Sequence, residues 1–492
     1  MTAARPLAPE RRGACPALSR PMETGDGLLV RLVPAEGTLA PAQLEGLCRA
    51  ARAFGNGLLE VSARGSLQLR GLTAETIGGL RAAVNALAIA PRESLPLDVS
   101  PLSGLDPSEI ADARPLARRI AAGIAARGLS ARLGPKVSVV LDGAGAVRLD
   151  ALSADVRLVA RPDGPLWALA LAGDAAIART FAVLPEAEAA DAALDLLGRV
   201  ADLGTGARMA DVLAADAAPS PDATHPLPPC GGGLGRGVAG ARDAESEDAA
   251  GGGTPPTLPS PARGEGKPGR ARVAPGRAAP PIGRFALADD TCAQGIALPF
   301  GQMEAEALAA LADAARRLGA RDLRPAPGRA LLAVGLAPEG AGAFAAEAAR
   351  LGFLTAPDDP RMSVAACPGT PACRSALMPA RSVAAEVAAT LAPILDGSVT
   401  VHLSACAKGC ARPAPAALTL TGMDEGIALV REGTAGAAAR ADFPVAELLP
   451  RLEALALAVA EARHAGEDMR GALARTGTRN TMPKTRTRCT QP

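Results

Sequence analysis

Four cysteines in the C-terminal half of the chain have the spacing of ligands to a single metal centre. Cys367 and Cys373 lie in ACPGTPACRSA, and Cys406 and Cys410 lie in SACAKGCARP. Structural zinc sites usually separate the cysteines of a pair by two residues, so zinc fits these wider gaps less well. An iron–sulfur cube binds its thiolates at different corners and accepts looser spacing. We therefore predict a 4Fe-4S cluster on these thiolates, with four buried structural cysteines as the alternative.

The residues beside these cysteines suit a cluster-binding loop. Pro368 and Gly369 keep the first loop from becoming helical, and Gly409 lets the backbone between the second pair approach closely. Cationic side chains next to the ligands would stabilise the thiolates and raise the reduction potential. Those cations are Arg374, Lys408 and Arg412. The two loops together predict redox chemistry.

Composition narrows the classes of function. The 492 residues have a formal net charge of +1 and an apolar fraction of 48%, which is typical of a globular protein without the basic surface that binds nucleic acid. No uncharged apolar run reaches the length of a membrane span. Nine cysteines, four of them clustered, favour metal ligation in a reducing compartment over disulfides. We therefore predict a cytoplasmic protein that binds neither nucleic acid nor a membrane.

The elements that must position the cysteines come in two copies. Residues 215–284 are rich in Pro, Gly and Ser and lack apolar periodicity, which predicts a disordered insertion between two ordered halves. Each half opens with a strand, an amphipathic helix, a strand or loop and then a second strand, in a stretch that ends at Leu72 in one half and at Leu336 in the other. Both copies indicate a small α+β sandwich followed by a larger segment of mixed helix and strand. The second larger segment contains the clustered cysteines.

The cysteine pairs, combined with the duplicated strand-helix-strand pattern, resemble the sirohaem-dependent sulfite and nitrite reductase superfamily. Four further strings are similar to its precorrin-3B synthase branch: ACPALSRPMETGDGLLVRL, SARGSLQLRGL, SPLSGLDP and LGPKVSVVLDG, which begin at residues 14, 62, 100 and 133. The resemblance covers nearly the whole chain apart from residues 215–284 and the C-terminal tail. The cysteine motif is specific for the superfamily, and the N-terminal strings favour the branch.

The resemblance implies an α+β fold with a duplicated sulfite/nitrite reductase-like architecture and pseudo-twofold symmetry. In this interpretation, residues 1–90 and 285–345 form two ferredoxin-like half-domains. Residues 91–214 form an α/β domain without a cluster, and residues 346–470 form the cluster-binding α/β domain. Two remaining segments are predicted to be a disordered linker and a disordered basic tail, and these are residues 215–284 and 471–492.

The resemblance also implies an oxidoreductase, namely an iron–sulfur monooxygenase of aerobic cobalamin biosynthesis. Such an enzyme converts precorrin-3A to precorrin-3B by hydroxylation with γ-lactone formation. It uses O2, the 4Fe-4S cluster and an electron donor, either an NADH-linked reductase or a ferredoxin. A second, non-haem iron is a further expected cofactor, whose ligands stay unassigned because the chain's histidines are only His225, His402 and His464. No catalytic residue is assigned.

Two other functions are compatible with the motif. In a sirohaem-dependent sulfite or nitrite reductase, Cys410 would bridge the cluster to the haem. The chain has Ser138 where the reductases commonly show a second lysine, and this loss of an anion-binding cation weakens that alternative. A non-catalytic electron-transfer or metal-binding module is disfavoured, because a carrier needs neither a duplicated scaffold of this size nor a basic strand face.

Five basic residues are predicted to bind the carboxylates of a tetrapyrrole substrate: Arg31, Arg64, Arg70, Lys136 and Lys408. By resemblance, Arg64 and Lys136 match positions whose cations face the macrocycle, and Arg70 is interpreted as lying on the same strand face as Arg64. Arginine has nearly displaced lysine in this chain, so the retained lysines suggest a need for a compact point charge. In the second copy Gly328 and Val334 replace the two arginines, which favours a one-sided binding face. A solvated surface cation is the alternative for each residue.

Overall fold

The computed structural model describes residues 16–92, 95–217, 280–439 and 441–476. Within these ranges the chain forms nineteen β-strands, arranged in four sheets, and ten α-helices. Two small and two larger units alternate along the chain, so the predicted α+β class and the duplication are confirmed. None of the helices in these ranges is long and apolar enough to cross a membrane.

The first small unit is a sheet covered by two helices. Its elements are β1 (Met22–Thr24), β2 (Gly27–Leu32), α1 (Pro41–Phe54), β3 (Leu58–Val61), β4 (Leu67–Leu72) and α2 (Ile77–Ala86). The strands pair antiparallel in the order β1-β2-β4-β3. Leu44, Leu47 and Ala51 of α1 recur at spacings of three and four, so they share one helix face and are buried in the core of this unit.

Strands β3 and β4 form a hairpin, so the interpretation that Arg64 and Arg70 lie on the same strand is wrong. The backbone N–H of Ser62 donates to the carbonyl of Ser66 at 2.8 Å, and Gly65 adopts a φ of 81°, which favours glycine. Arg64 therefore lies in the turn between β3 and β4, whereas Arg70 lies on β4. The chain reverses direction between these two arginines, so they do not share a strand face.

The first larger unit follows, and it carries none of the clustered cysteines. Its elements are β5 (Leu97–Val99), α3 (Ala113–Ala126), β6 (Val139–Asp142), β7 (Ala154–Arg161), β8 (Leu166–Gly173), β9 (Arg179–Pro185), α4 (Glu186–Asp202) and α5 (Met209–Ala217). Strands β5, β6 and β7 are parallel, and β8 and β9 continue the sheet antiparallel. Trp167, with 1% of its surface exposed, lies in the core between the sheet and the helices.

The second small unit repeats the first and shares a core with it. Its elements are β10 (Gly283–Ala286), β11 (Cys292–Ala297), β12 (Gln302–Glu304), α6 (Ala305–Arg317), β13 (Asp322–Ala326), β14 (Ala330–Leu336) and α7 (Pro338–Arg350). Strand β12 pairs with β3 and so becomes the fifth strand of the first sheet. Leu308 and Leu311 of α6 belong to the same apolar cluster as Leu44 and Leu47 of α1. The two small units are therefore joined by strand pairing and by a common core.

The second larger unit has the topology of the first. Its elements are β15 (Val364–Ala366), α8 (Ala384–Leu391), β16 (Val401–Ser404), β17 (Ala416–Met423), β18 (Gly426–Gly433), β19 (Ala441–Phe443), α9 (Leu448–Glu461) and α10 (Met469–Arg475). Strands β15, β16 and β17 are parallel, and β18 and β19 are antiparallel additions. Val139 at the start of β6 pairs with Val156, and Val401 at the start of β16 pairs with Leu418. Both partners are the third residue of their strand, so the duplication preserves the register.

Two predicted boundaries are wrong at their edges. The predicted linker covers residues 215–284, but α5 continues to Ala217 and β10 begins at Gly283. The predicted tail begins at residue 471, but α10 continues to Arg475, because Ala472 and Leu473 pack into the core of the second larger unit. The rest of both segments, residues 218–279 and 477–492, lies outside the described residues.

Candidate functional site

A cavity of about 890 Å³, here called the main cavity, lies between the first small unit and the second larger unit, and all four clustered cysteines line it. Cys367 directly follows β15, and Cys406 comes two residues after the end of β16. These strands are parallel neighbours, so both loops leave the sheet at the same edge. The fold therefore brings together two cysteine pairs that are distant in the sequence.

The four thiols differ in exposure, and three of them interact electrostatically. Cys367 is buried, Cys373 and Cys406 are partly exposed, and Cys410 is exposed. The Sγ atom of Cys367 accepts a hydrogen bond of 3.2 Å from the backbone N–H of Ala405. Burial raises the pKa of the Cys367 thiol, backbone N–H groups oppose that increase, and the neighbouring Cys406 and Cys373 add to it. These thiols are thus near enough to repel one another when ionised.

Glycines allow the close backbone approach that the cysteine loops need. Gly369 has a φ of 72°, and a Cβ atom at this position would lie 2.4 Å from the backbone nitrogen of Ala380. Gly409, next to Cys410, has a φ of 61°. L-residues with a side chain rarely adopt such angles. The loops therefore depend on glycine at both positions.

The first small unit holds the loop that carries Cys367 and Cys373. The carbonyl of Ala372 accepts hydrogen bonds from the Arg70 guanidinium, at 2.6 Å, and from the backbone N–H of Gly25, at 3.1 Å. A Cβ atom on Gly25 would lie 2.1 Å from the carbonyl oxygen of the preceding loop residue, Pro371. The hairpin of β1 and β2 therefore fits tightly against this loop, although the two belong to opposite halves of the chain.

Arg70 forms a buried ion pair that occupies part of its guanidinium, so its predicted role as a substrate cation stays a prediction. Its side chain is 4% exposed, and Nε and Nη2 donate to the two carboxylate oxygens of Asp26 at 3.0 and 2.9 Å. Burial lowers the pKa of the Arg70 guanidinium, but the hydrogen bond to Asp26 and the nearby carboxylate of Glu60 outweigh burial and raise it. Arg70 lines the main cavity, and its Nη2 also orients the cysteine loop through the Ala372 carbonyl.

Two other predicted cations line the main cavity and are already bonded. Arg64 reaches from its turn to the first larger unit, where it pairs closely with Asp98 and donates to the carbonyl of Ser153 at 2.7 Å. Lys408, on the loop between Cys406 and Cys410, donates from Nζ to the Ser375 hydroxyl at 3.0 Å. Lys408 keeps further donors for a ligand because an ammonium group has three.

Arg31 is the predicted cation best suited to a ligand. It lies on β2 and lines the main cavity, and its Nε atom is buried without a hydrogen-bond partner among the described residues. The Gln68 amide, in the orientation that satisfies both of its ends, accepts from Arg31 Nη2 at 3.2 Å and donates to Glu60. A buried guanidinium donor without a partner is costly unless a ligand satisfies it.

The structure does not bring Lys136 to the main cavity. This residue is exposed in the turn that precedes β6 and is absent from the residues that line the cavity. Its neighbour Ser138 binds instead to the first larger unit, where its backbone N–H donates to Asp155 at 3.0 Å. The turn is thereby tied to β7 and not to the cysteine loops.

Two cavity arginines were missed by sequence reasoning. Arg329 lies in the β13–β14 turn and donates to the carbonyl of Ala411 at 3.1 Å, and Arg381 pairs closely with Glu60. Burial, together with Arg381 and a further arginine, lowers the pKa of Arg329 to about 10, and basic side chains outnumber the two glutamates that line the main cavity. The second copy thus contributes a cation, which contradicts the predicted one-sided face. The sequence did contain one signal for Arg329: the β3–β4 turn has the order Arg-Gly and the β13–β14 turn has Gly-Arg, so both turns carry an arginine.

The histidines provide no evident site for a second iron. His402 is fully buried on β16, both of its ring nitrogens lack partners among the described residues, and burial and two arginines lower its pKa to about 4. His464 is exposed, and His225 lies outside the described residues. Within the described ranges, no three His, Cys, Asp or Glu side chains are close enough to hold a single ion. That criterion concerns one ion, whereas a cube spreads its ligands over four corners.

Comparisons with known proteins agree with this geometry. Residues 20–87 match the family model of the nitrite/sulfite reductase ferredoxin-like half domain. The structure of the Mycobacterium tuberculosis NirA protein superposes with a TM-score of 0.64, over 91% of this chain and 84% of that chain, at 18% sequence identity. A precorrin-3B synthase from Sinorhizobium sp is 38% identical over 473 residues, which cover 96% of this chain and 94% of that protein.

The fold is that of the nitrite/sulfite reductase class, so the duplicated reductase-like architecture predicted from the sequence is confirmed. The protein is an oxidoreductase of this class. Within the class, the chain belongs to the precorrin-3B synthase family, because the identity to that relative extends over almost the full length of both proteins. The resemblance drawn from the N-terminal strings is thereby confirmed.

Proposed function

We propose that this protein hydroxylates precorrin-3A to precorrin-3B, with closure of a γ-lactone, in aerobic cobalamin biosynthesis. In this reaction one oxygen atom of O2 enters the substrate and the other leaves as water, so two electrons and two protons must be supplied. An NADH-linked reductase or a ferredoxin would supply the electrons, in a reducing compartment such as the cytoplasm. The family membership and the large cavity beside the cysteine loops support this proposal.

One observation carries the proposal: four thiols and several arginines line the same cavity. The donor set consists of thiols alone, which fits a 4Fe-4S cluster. The N–H of Ala405 already points at the Cys367 sulfur, and Gly369 lets the loop backbone approach closely. We therefore assign Cys367, Cys373, Cys406 and Cys410 as the residues that would hold the cluster. When bound, the cluster supplies single electrons next to the cavity.

The arginines of the main cavity would bind and orient a carboxylated macrocycle. Arg31 offers a buried donor without a partner, and Arg329 carries positive charge that Glu60 offsets only in part. A guanidinium fork binds a carboxylate through two parallel hydrogen bonds, which fixes both position and angle. Lys408 is exposed near Cys410 and would contact a substrate carboxylate at the cavity entrance. No residue of the described chain is assigned as a proton donor or acceptor.

Turnover of precorrin-3A under labelled dioxygen tests the reaction. Mass spectrometry of the product should show the gain of one labelled oxygen atom and the loss of a free carboxylate to the lactone. A product whose added oxygen comes from labelled water, or no added oxygen at all, would contradict the monooxygenase reaction. Absorption spectra recorded before turnover should lack the sharp Soret band of sirohaem, which a sulfite or nitrite reductase would show.

Cysteine variants test the cluster separately from the reaction. Changing any of the four clustered cysteines to Ser should remove most of the bound iron and sulfide from anaerobically purified protein, because each thiolate binds a different corner of the cube. Cys48→Ala is the matched control, since Cys48 is also buried but packs in the core of the small units, away from the main cavity. Full iron content in any of the four Ser variants would remove that residue from the ligand set.

A further inference from the structure

A second cavity, of about 280 Å³, lies on the other side of the β3–β4 turn and is here called the minor cavity. It is formed by both small units and the first larger unit, whereas the main cavity involves the second larger unit. Arg64 lines both cavities. The two spaces are therefore neighbours that share one wall.

The minor cavity occupies the position that the duplication makes equivalent to the main cavity. Its wall contains Ser100 and Pro101, directly after β5, where the main cavity has Cys367 and Pro368 directly after β15. The β13–β14 turn borders the minor cavity as the β3–β4 turn borders the main one. Among the described residues, no cysteine lines the minor cavity. The described residues of the minor cavity therefore offer no thiolates to a metal cluster, although a cavity is present at this position in both copies.

Arginine is the dominant charged residue of the minor cavity. Five arginines line it, namely Arg64, Arg92, Arg114, Arg118 and Arg324. Asp98 and Glu36 are the acidic residues that line it. The five guanidinium groups thus outnumber the two acidic side chains that line the same space.

Two of these arginines lack a carboxylate partner. Arg64 pairs with Asp98, and Arg114 and Arg324 each pair with an aspartate close by in sequence. Arg92 donates only to the carbonyl of Leu97, at 2.7 Å, and within the described ranges neither Arg92 nor Arg118 forms an ion pair. Burial and the neighbouring Arg64 lower the pKa of Arg92 in spite of Asp98. Among the described residues, the charges of Arg92 and Arg118 are thus not neutralised by an ion pair.

We propose that the minor cavity is a second binding site, specific for a small oxyanion with the size of a dicarboxylate or a phosphate. Its volume is about a third of that of the main cavity, so a tetrapyrrole does not fit, whereas a carboxylate or phosphate group does. Arg92 and Arg118 would bind the anion through charge-assisted hydrogen bonds. The anion is either free in solution or a carboxylate arm of a macrocycle in the main cavity that reaches past Arg64.

Calorimetric titration of the purified full-length protein with malonate and with inorganic phosphate tests this site. We expect saturable binding of at least one of the two, with a Kd of roughly 1 mM or tighter. Arg118→Gln should weaken that binding by about tenfold or more, because one charge-assisted hydrogen bond is lost. Arg119→Gln is the matched control: Arg119 follows on the same helix but bonds to the carbonyl of Ala187 outside the minor cavity.

The outcomes separate the sites and the sources of the anion. Absence of saturable binding, equal binding by the two variants, or loss of binding in Arg31→Gln, a main-cavity variant, would overturn the proposal. Arg92→Gln should repeat the effect of Arg118→Gln, because both arginines line the minor cavity. If a carboxylated porphyrin in the main cavity competes with malonate, the site binds a substrate arm. If malonate still binds at full strength, the site takes a free anion.

Discussion

The Arg70 guanidinium donates a 2.6 Å hydrogen bond to the carbonyl of Ala372, 302 positions away along the chain. Ala372 immediately precedes Cys373, so the N-terminal half of the protein sets the position of a cysteine loop in the C-terminal half. Asp26 holds the same guanidinium from the other side at 2.9 and 3.0 Å. Asp26, Arg70 and the Ala372 carbonyl thus link the two halves of the chain. Arg70 acts as a positioning residue for the loop that carries Cys373.

Arg70→Met should lower both stability and cluster retention. Removing one partner of a buried ion pair leaves the Asp26 carboxylate unpaired and costs about 3–5 kcal/mol, and the Ala372 carbonyl also loses its donor. Denaturant unfolding and iron analysis measure the two effects. Arg52→Met is the control, because Arg52 and Glu306 form an ion pair with both side chains more than half exposed, which contributes at most about 1 kcal/mol. Unchanged iron content in Arg70→Met would show that this arginine does not position the loop.

Gly25→Ala should displace the cysteine loop through steric contact. The added methyl group would lie 2.1 Å from the Pro371 oxygen, so the loop or the β1–β2 hairpin must move. We expect a loss of about 1–3 kcal/mol of stability, accompanied by less iron per chain. Gly78→Ala provides the comparison, because a Cβ atom at Gly78 has open space within α2 and should stabilise the helix by about 0.5–1 kcal/mol. Equal iron content in both variants would argue against a tight fit at Gly25.

Asp26 should make stability depend on pH in the acid range. Burial raises the pKa of the Asp26 carboxyl, but hydrogen bonds from Arg70 and Thr24 outweigh it and hold that pKa below the usual 3.8. The ionised carboxylate therefore stabilises the fold above pH 3.8, and this contribution is lost as the pH falls through the lower folded-state pKa.

Urea unfolding of Asp26→Asn at several pH values measures this contribution. The variant should be less stable than the unmodified protein near neutral pH, and the difference should shrink as the medium becomes acidic. Asp424→Asn serves as the control, since Asp424 is exposed in the β17–β18 turn. A stability difference for Asp26→Asn that stays constant over the acid range would show that the carboxylate charge makes no contribution.

Arg31→Gln should weaken substrate binding more than it slows turnover. The Arg31 donor that lacks a partner in the main cavity would bind a carboxylate in the ground state and in the transition state alike, so its loss raises KM while kcat changes little. We expect KM to rise by about 10- to 100-fold, the range for one lost charge-assisted pair. Arg49→Gln, on the exposed face of α1, should leave KM unchanged. A fall in kcat at constant KM would assign Arg31 a different role.

The cysteine site could be predicted because each half of it is local in the sequence. Cys367 and Cys373 share one loop, as do Cys406 and Cys410, and a short motif with glycine and proline reveals each loop. The duplication could be predicted for a similar reason, since apolar periodicity repeats in both halves. What the sequence did not contain was the parallel pairing of β15 and β16, which brings the loops to one edge.

The charged residues of the cavity were harder to predict, because their roles depend on distant partners. Arg70 was predicted to be a substrate-binding cation, but its guanidinium forms an ion pair with Asp26, which is 44 residues away in the sequence. The signal for Arg329 was weak, a Gly-Arg order in its turn where the other turn has Arg-Gly, because it reaches the main cavity only through the packing of two units. The turn at Gly65 was an exception: Ser62, Gly65 and Ser66 were visible turn residues, and a hairpin could have been predicted from them.

Strand β12 of the second small unit completes the sheet of the first, and this has a consequence for how the gene can change over time. Either half, encoded alone, would expose an unpaired sheet edge at β3 or lose half of the apolar core around Leu44 and Leu311. Because β12 of one copy pairs with β3 of the other, each copy needs the other in order to fold. Recombination that separates the halves would leave neither half able to fold, so the half without the clustered cysteines must be inherited together with the half that contains them.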